Sequence, residues 1–277
     1  MTIFKDATVT VAGCTRNGEE FLPQVLSNID LLRFVFKSVK TVFVENSSID
    51  GSKYILSDYS QKHAGESAVL NLDDKISLDW PRTQRIATAR NSYIDFLRAT
   101  PEFASEYLIA VDLDDPLTSP DYISGIIFAV NEMRGNSRTI ALFANSLPIY
   151  YDIWALRADG WVETDCWLNV NTLKLSGMTN DDAVTRMIKK KQIYINPQSS
   201  MIPVRSAFGG LAIYRFQHAV RSQYLGLSSE GYQICEHVLF NLYLKHFIGG
   251  DMYILPSLIV KAPPEHLIVK APPEHIY

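Results

Sequence analysis

The spacing of apolar positions changes several times along the chain, and each change marks an element. Residues 7–13 (ATVTVAG) form a short β-branched run ending in a polar turn, which predicts a buried strand. Apolar residues at helical spacing over 19–36 predict a helix. Residues 40–45 (KTVFVE) predict a second strand, 46–51 a turn, 52–60 a short helix and 67–72 a third strand. A helix is predicted over 83–99, stopped by Pro101, and YLIAVD at 107–112 predicts a fourth strand that runs into an acidic loop. This alternation predicts an α/β fold: a mostly parallel sheet with helices on both faces. Ligands of such sheets bind beyond the carboxyl ends of the strands. Three polar turns fall there, at 14–19, 45–51 and 112–115, so they can converge on one cleft.

The second half is less regular. Helices are predicted over 119–134, 180–191 and 236–247, and strands over 139–145 and 208–214 (FGGLAIY). Residues 150–165 are aromatic-rich and strand- or loop-like. With no evident linker, the reading is one domain over 1–257. Its first half would be 1–116, and its second half, 117–257, would carry a smaller mixed sheet. LIVKAPPEH at 258–266 is copied at 267–275. Two nine-residue units are too short for a solenoid, so 258–277 reads as a duplicated tail, with His266 and His275 poor candidates for ligands.

Composition narrows the classes. The chain has 277 residues, 47% of them hydrophobic, enough for one large core or two moderate ones. A formal net charge of -4 argues against a nucleic-acid partner. The run Lys189-Lys190-Lys191 reads as a solvated helix end. Cys14, Cys166 and Cys235 lie far apart without zinc-like spacing, which suggests buried reduced thiols in a cytoplasmic protein. The first residues lack the basic and long apolar regions of a signal peptide, and no run reaches about 18 apolar residues. The expectation is a cytoplasmic protein, at most peripheral to a membrane.

The chemistry centres on VDLDD at 111–115. Three carboxylates within four residues, Asp112, Asp114 and Asp115, repel one another if they converge on a cleft, and a cation relieves that repulsion. Hard oxygen donors suit Mg²⁺ or Mn²⁺, which leave coordination positions open for phosphate oxygens. The competing reading is a solvated acidic turn broken by Pro116.

The surroundings of that motif favour the first reading. TQRIATARN, followed about twenty residues later by a strand ending in DLDD, resembles the helix–strand–DxD unit of GT-A glycosyltransferases, especially the family-2-like group. ENSSIDGS at 45–52 resembles that group's second-strand signature. GCTRNGE at 13–19 resembles its first nucleotide-binding turn, without the proline. The resemblance implies a metal-dependent transferase using a UDP- or GDP-sugar, with Asp112, Asp114 and Asp115 on the cation. Arg16, Asn17 and Glu45 would then lie on the nucleotide, although Glu45 stands where Asp is usual. Arg85, Arg90 and Asp112 would face the diphosphate or donor sugar, and Asn91 would orient its neighbours. For Arg85 and Arg90, helix-surface pairing with acids is the other reading.

FGGLAIYR at 208–215 resembles the GG strand near the donor sugar and acceptor, which places Gly209 and Gly210 there. CEH at 235–237 sits where that group places an acidic motif at a helix start, and the resemblance implies Glu236 as the general base of an inverting enzyme and His237 as a metal ligand or sugar contact. A plain helix start, favoured by an acid at its N-terminus, is the alternative. YDIWALR at 151–157 resembles a segment of fungal capsule-associated mannosyltransferases and makes Asp152 and Trp154 candidate sugar contacts; core aromatics are the alternative. The acceptor implied is a hydroxyl of a glycan or lipid-linked molecule, in surface polysaccharide or glycoconjugate synthesis. Two other classes compete: a sugar-nucleotide nucleotidyltransferase, which would carry a Gly-rich basic phosphate loop that GCTRNGEE matches poorly, and a non-catalytic carbohydrate-binding protein of the same fold.

Overall fold

The computed structural model describes residues 3–264. In chain order the elements are β1 (Phe4–Thr15), α1 (Leu22–Leu31), β2 (Phe36–Glu45), α2 (Ser52–Lys62), β3 (Ser67–Asn71), α3 (Arg82–Ala99), β4 (Tyr107–Asp112) and α4 (Tyr122–Gly135). There follow β5 (Thr139–Leu147), α5 (Cys166–Leu175), α6 (Asn180–Met187), β6 (Ile202–Pro203), β7 (Leu211–Arg215), α7 (Phe216–Ala219), α8 (Glu236–Tyr243) and β8 (Asp251–Lys261).

All eight strands join one sheet in the order β3-β2-β1-β4-β7-β5-β8-β6. The strands β3, β2, β1 and β4 run parallel, as does the β5–β8 pair. β7 runs antiparallel to both β4 and β5, and β6 antiparallel to β8. The mixed region is therefore the far side of the main sheet rather than a second sheet. Alternate residues of a strand face opposite ways. In β4, Leu108 and Ala110 join the core shared with α3, α5, α6 and α8, while Tyr107, Ile109 and Val111 join the core beneath α1 and α4. A strand covered on both faces must be apolar throughout, which explains YLIAV.

Several expectations are revised. The helix expected over 19–36 shrinks to Leu22–Leu31, because Phe36 pairs with Phe4 and starts β2. The helix expected from 119 starts at Tyr122, just after Pro120. The one expected over 180–191 stops at Met187, and Lys189–Lys191 form a 3-10 turn beyond it, with Lys189 and Lys190 exposed. Residues 150–165 are loop with short bridges, and α5 was not foreseen although Asp165 caps it by accepting from Trp167 and Leu168 N–H.

The largest revision concerns the supposed tail. Leu258–Lys261 complete β8, pairing beside Asn145, Ser146 and Leu147 of β5, and Leu258 and Val260 are buried. Helix α4 packs directly on this stretch: a Cβ at Gly125 would come within 2.5 Å of Leu258 Cα. His266 and His275 lie outside the described residues. The three cysteines are free thiols, Cys166 and Cys235 buried and Cys14 partly so. No described helix is long and apolar enough to cross a membrane.

Candidate active site

The exits of β1 and β2 interlock. Asn17 N–H donates to Ser48 Oγ at 2.9 Å, and Asn17 Oδ1 accepts from Ile49 N–H at 2.9 Å. Gly18 N–H donates to Ser52 Oγ (2.8 Å), Glu19 N–H to Asp50 (3.0 Å), and Gly51 N–H to Glu19 Oε2 (2.7 Å). Asn17 sits at φ 54°, a left-handed conformation that Asn tolerates better than most residues. Glu45 is buried and accepts from Ser48 N–H through Oε1 at 2.7 Å; its Oε2 has no hydrogen bond and lies 3.9 Å from Lys53 Nζ. Asn17 and Glu45, expected on the nucleotide, thus also shape the two turns.

Arg16 is exposed at the first turn, and Arg85 is half-buried one turn into α3. Burial, with help from the nearby Arg16 and Arg82 charges, lowers the Arg85 guanidinium pKa. None of these three arginines forms an ion pair with a described carboxylate within 4.0 Å, so they form a basic rim.

Arg90, expected near the diphosphate, is the hub of the site. It is 4% exposed, and its guanidinium lies 4.9 Å from the Phe208 ring and 5.7 Å from the Tyr224 ring. Nη2 donates to Asp112 Oδ1 at 2.8 Å, and Nε donates to Glu236 Oε1 at 3.2 Å. One buried cation therefore joins the end of β4 to the start of α8. Asn91, beside it, clasps Tyr224: Nδ2 donates to the Tyr224 carbonyl at 2.9 Å, and Oδ1 accepts its N–H at 2.8 Å. These two bonds tie α3 to the loop that carries Tyr224. Thr83 fixes the same loop by donating to Gly226 O at 2.6 Å.

Glu236 is buried at the first turn of α8. Burial raises its pKa above the usual carboxylate range, against the pull of Arg90. His237 is buried too. Its ring stacks on Phe208 at 3.7 Å and meets Tyr224 edge-on at 5.5 Å. Nε2 lies 3.5 Å from Glu236 Oε1, yet neither ring nitrogen makes a hydrogen bond. Burial, then the Arg90 charge, pushes its pKa well below the ordinary value, so the ring is neutral.

Gly209 and Gly210 lead into β7 with φ of 69° and 94°. Asp112 N–H donates to Gly210 O at 3.0 Å, which sets the glycine turn against the acidic loop. A Cβ on Gly209 would stand 2.7 Å from Ala144 O, so glycine is needed for space as well as for φ. Asp152 accepts from Gly209 N–H at 2.9 Å and Ala155 N–H at 3.3 Å, while Trp154 donates to Asp165 at 2.9 Å. Both of these expected sugar contacts carry structural bonds.

The acidic loop is divided. Asp112 meets Arg90, Asp114 is exposed, and Asp115 accepts from Lys261 Nζ at 2.7 Å. Among the described residues no three His, Cys, Asp or Glu side chains form a ready-made metal cage. Asp112 and Asp114 still offer hard carboxylate oxygens at the strand's carboxyl end, a donor set that suits a cation sharing its shell with phosphate oxygens and water. Asp115 is the least accessible of the three: its side chain is 15% exposed against 32% for Asp112, although one oxygen of each already accepts from a cationic side chain. Sequence reasoning gave no role to Phe208, Tyr224 or Lys261. The aromatics look like core residues in sequence, and Lys261 lies inside the repeat.

No family model matches the chain, and no curated protein matches it. Among solved structures, it is similar to the mannosyltransferase PcManGT from Pyrobaculum calidifontis in complex with GDP-Man and Mn²⁺. That match has 13% identity and a TM-score of 0.52, covering 95% of this chain and 60% of that one. It is also similar to the glucosyl-3-phosphoglycerate synthase from Mycobacterium tuberculosis with Mg²⁺ and UDP, at 9% identity, a TM-score of 0.46, and coverage of 92% and 69%. The chain thus spans under two thirds of the mannosyltransferase's length. At this identity the first likeness establishes the fold, the mostly parallel α/β architecture of GT-A proteins.

Proposed function

We propose that the protein is a metal-dependent glycosyltransferase that moves a sugar from a UDP- or GDP-sugar to a hydroxyl of a glycan or lipid-linked acceptor. The observation that carries this reading is the Arg90 hub, which brings Asp112 and Glu236 onto one buried guanidinium at the carboxyl end of the sheet. The mannosyltransferase with the same fold was solved with GDP-Man and Mn²⁺, which supports the donor class and the cation.

Asp112 and Asp114 would hold Mn²⁺ or Mg²⁺, which when bound neutralises the diphosphate. The rim of Arg16, Arg82 and Arg85 adds positive charge there, and Arg guanidinium geometry matches phosphate oxygens. Glu236 accepts the acceptor's hydroxyl proton. Its burial limits water access, and Arg90 steadies the ionised form that must act as base. Gly210 brings a bare backbone to the cleft, where a sugar can approach closely. Neutral His237, packed between aromatic rings, contributes shape and a polar edge beside Glu236.

The test is donor hydrolysis and donor-induced thermal stabilisation, measured with UDP- and GDP-sugars with and without Mn²⁺. A ligand that binds only the native state raises the apparent melting temperature. Asp114→Ala is expected to abolish the Mn²⁺-dependent part of both. Undiminished hydrolysis in Asp114→Ala, or no shift with any nucleotide, overturns the proposal.

A further inference from the structure

Asp115 differs from the other two carboxylates of its loop. It opens the 3-10 turn Asp115–Leu117, and its side chain is only 15% exposed. Its Oδ1 accepts from Lys261 Nζ at 2.7 Å and from Thr118 Oγ1 at 3.4 Å. Thr118 also closes the turn, donating to the Asp115 carbonyl through N–H at 3.1 Å and Oγ1 at 2.8 Å. From the other side, Asn28 Nδ2 donates to the carbonyls of Leu117 at 2.9 Å and Thr118 at 3.0 Å. A carboxylate held this way lies in a turn whose backbone is already committed.

Lys261 is equally fixed at its base. It is the last residue of β8, opposite Leu147 of β5, and Ala262 N–H donates to Leu147 O at 2.9 Å. Leu258 and Val260, just before it, are buried. The ammonium therefore reaches the loop from a rigid strand. Electrostatics explains why it should: three carboxylates in four residues repel, Arg90 offsets Asp112, and Lys261 offsets Asp115.

We infer that Asp115 and Lys261 are a positioning pair rather than metal ligand and bystander. Lys261 holds Asp115 out of the cation's coordination sphere and pins the turn, so that Asp112 and Asp114 present their oxygens to the metal. This rests on the metal-dependent reading of the site. Because 267–275 repeats 258–266, Lys270 occupies in the second copy the place of Lys261 in the first. Both lysines are therefore substituted together in the test.

The experiment measures, in the full chain, the Mn²⁺ concentration that gives half-maximal donor hydrolysis and, without donor, the Mn²⁺ concentration that gives the half-maximal rise in melting temperature. Lys261→Met/Lys270→Met and, separately, Asp115→Asn are each expected to raise both about tenfold, the scale of losing an outer-shell support of a metal ligand. Combining all three substitutions is expected to cost no more than either alone, because both break one contact. Lys261→Arg/Lys270→Met is expected to behave as wild type, which a general loss of stability would not allow. Two outcomes overturn the pair alone: additive effects, or Asp115→Asn removing metal dependence while the lysine variant keeps it, which would make Asp115 a ligand. A wild-type chain indifferent to Mn²⁺ overturns the metal reading, and the pair's role with it.

Discussion

The two sides of the cleft solve the problem of polar groups near a binding surface in opposite ways. On the β1–β2 side, the turns after the strands mostly satisfy one another: Asn17, Glu19, Ser48, Asp50 and Ser52 trade side-chain and backbone bonds at 2.7–3.0 Å across a partly exposed surface, and Glu45 Oε2 is the buried exception. On the β7–α8 side, Glu236, His237 and Arg90 are buried among Phe208 and Tyr224, and both His237 nitrogens and Arg90 Nη1 lack a hydrogen bond. A self-satisfied network can be read as scaffold. Unmet polarity in an apolar wall costs stability, and its concentration around Arg90 and His237 is the reason the proposed general base is assigned to the second side.

The sharpest way to test this contrast is Glu236→Gln. Sugar transfer is expected to fall about 10²–10⁴-fold, the usual scale for removing a general base, while donor binding persists. In the wild type, transfer is expected to rise with pH through the raised pKa of Glu236, and a pH–rate profile checks this. Next comes Gly209→Ala, which meets both a positive φ and the Ala144 carbonyl. A loss of about 1–3 kcal/mol is expected in denaturant unfolding.

On the scaffold side, Asn17→Ala removes one bond to Ile49 and leaves a less suitable residue at positive φ. About 1 kcal/mol of stability is expected to go, with donor affinity reduced and transfer from bound donor nearly unchanged. An equal loss of both would erase the distinction between the two sides. The smallest effect concerns His237. Its folded pKa lies below the unfolded value, so the unfolded chain takes up a proton first as pH falls. The stability it permits is complete above about 6.5, the ordinary histidine value, and is lost progressively below it. His237→Phe is expected to flatten the fall of melting temperature between about pH 7 and 5.

Much of the scaffold side was legible in the sequence, because strands such as TVTVAG and YLIAVD carry β-branched or apolar runs and end in turn residues. β8 was hidden by the repeat, whose paired prolines look like a tail; only its neighbours β5 and α4 make MYILPSLIVK a strand. The acidic loop was found, but its division was not, since Lys261 stands 146 residues from Asp115. Glu236 was placed by its motif, whereas Tyr224 and Phe208 carried no signal distinguishing them from other core aromatics. Periodicity reports burial; it does not report what a buried ring is packed against.

The position of β7 has a consequence for how the molecule comes into being. This strand follows six others in the chain yet lies in the middle of the sheet, bridging β4 and β5. Until residue 215 has been synthesised, β4 offers an unpaired and wholly apolar edge, the kind of surface that invites wrong partners in a nascent chain. Its late arrival also puts Gly210 against Asp112. The two walls of the cleft therefore cannot meet before most of the polypeptide has emerged. Maturation should register as one late, slow step in which the sheet closes and the site forms together.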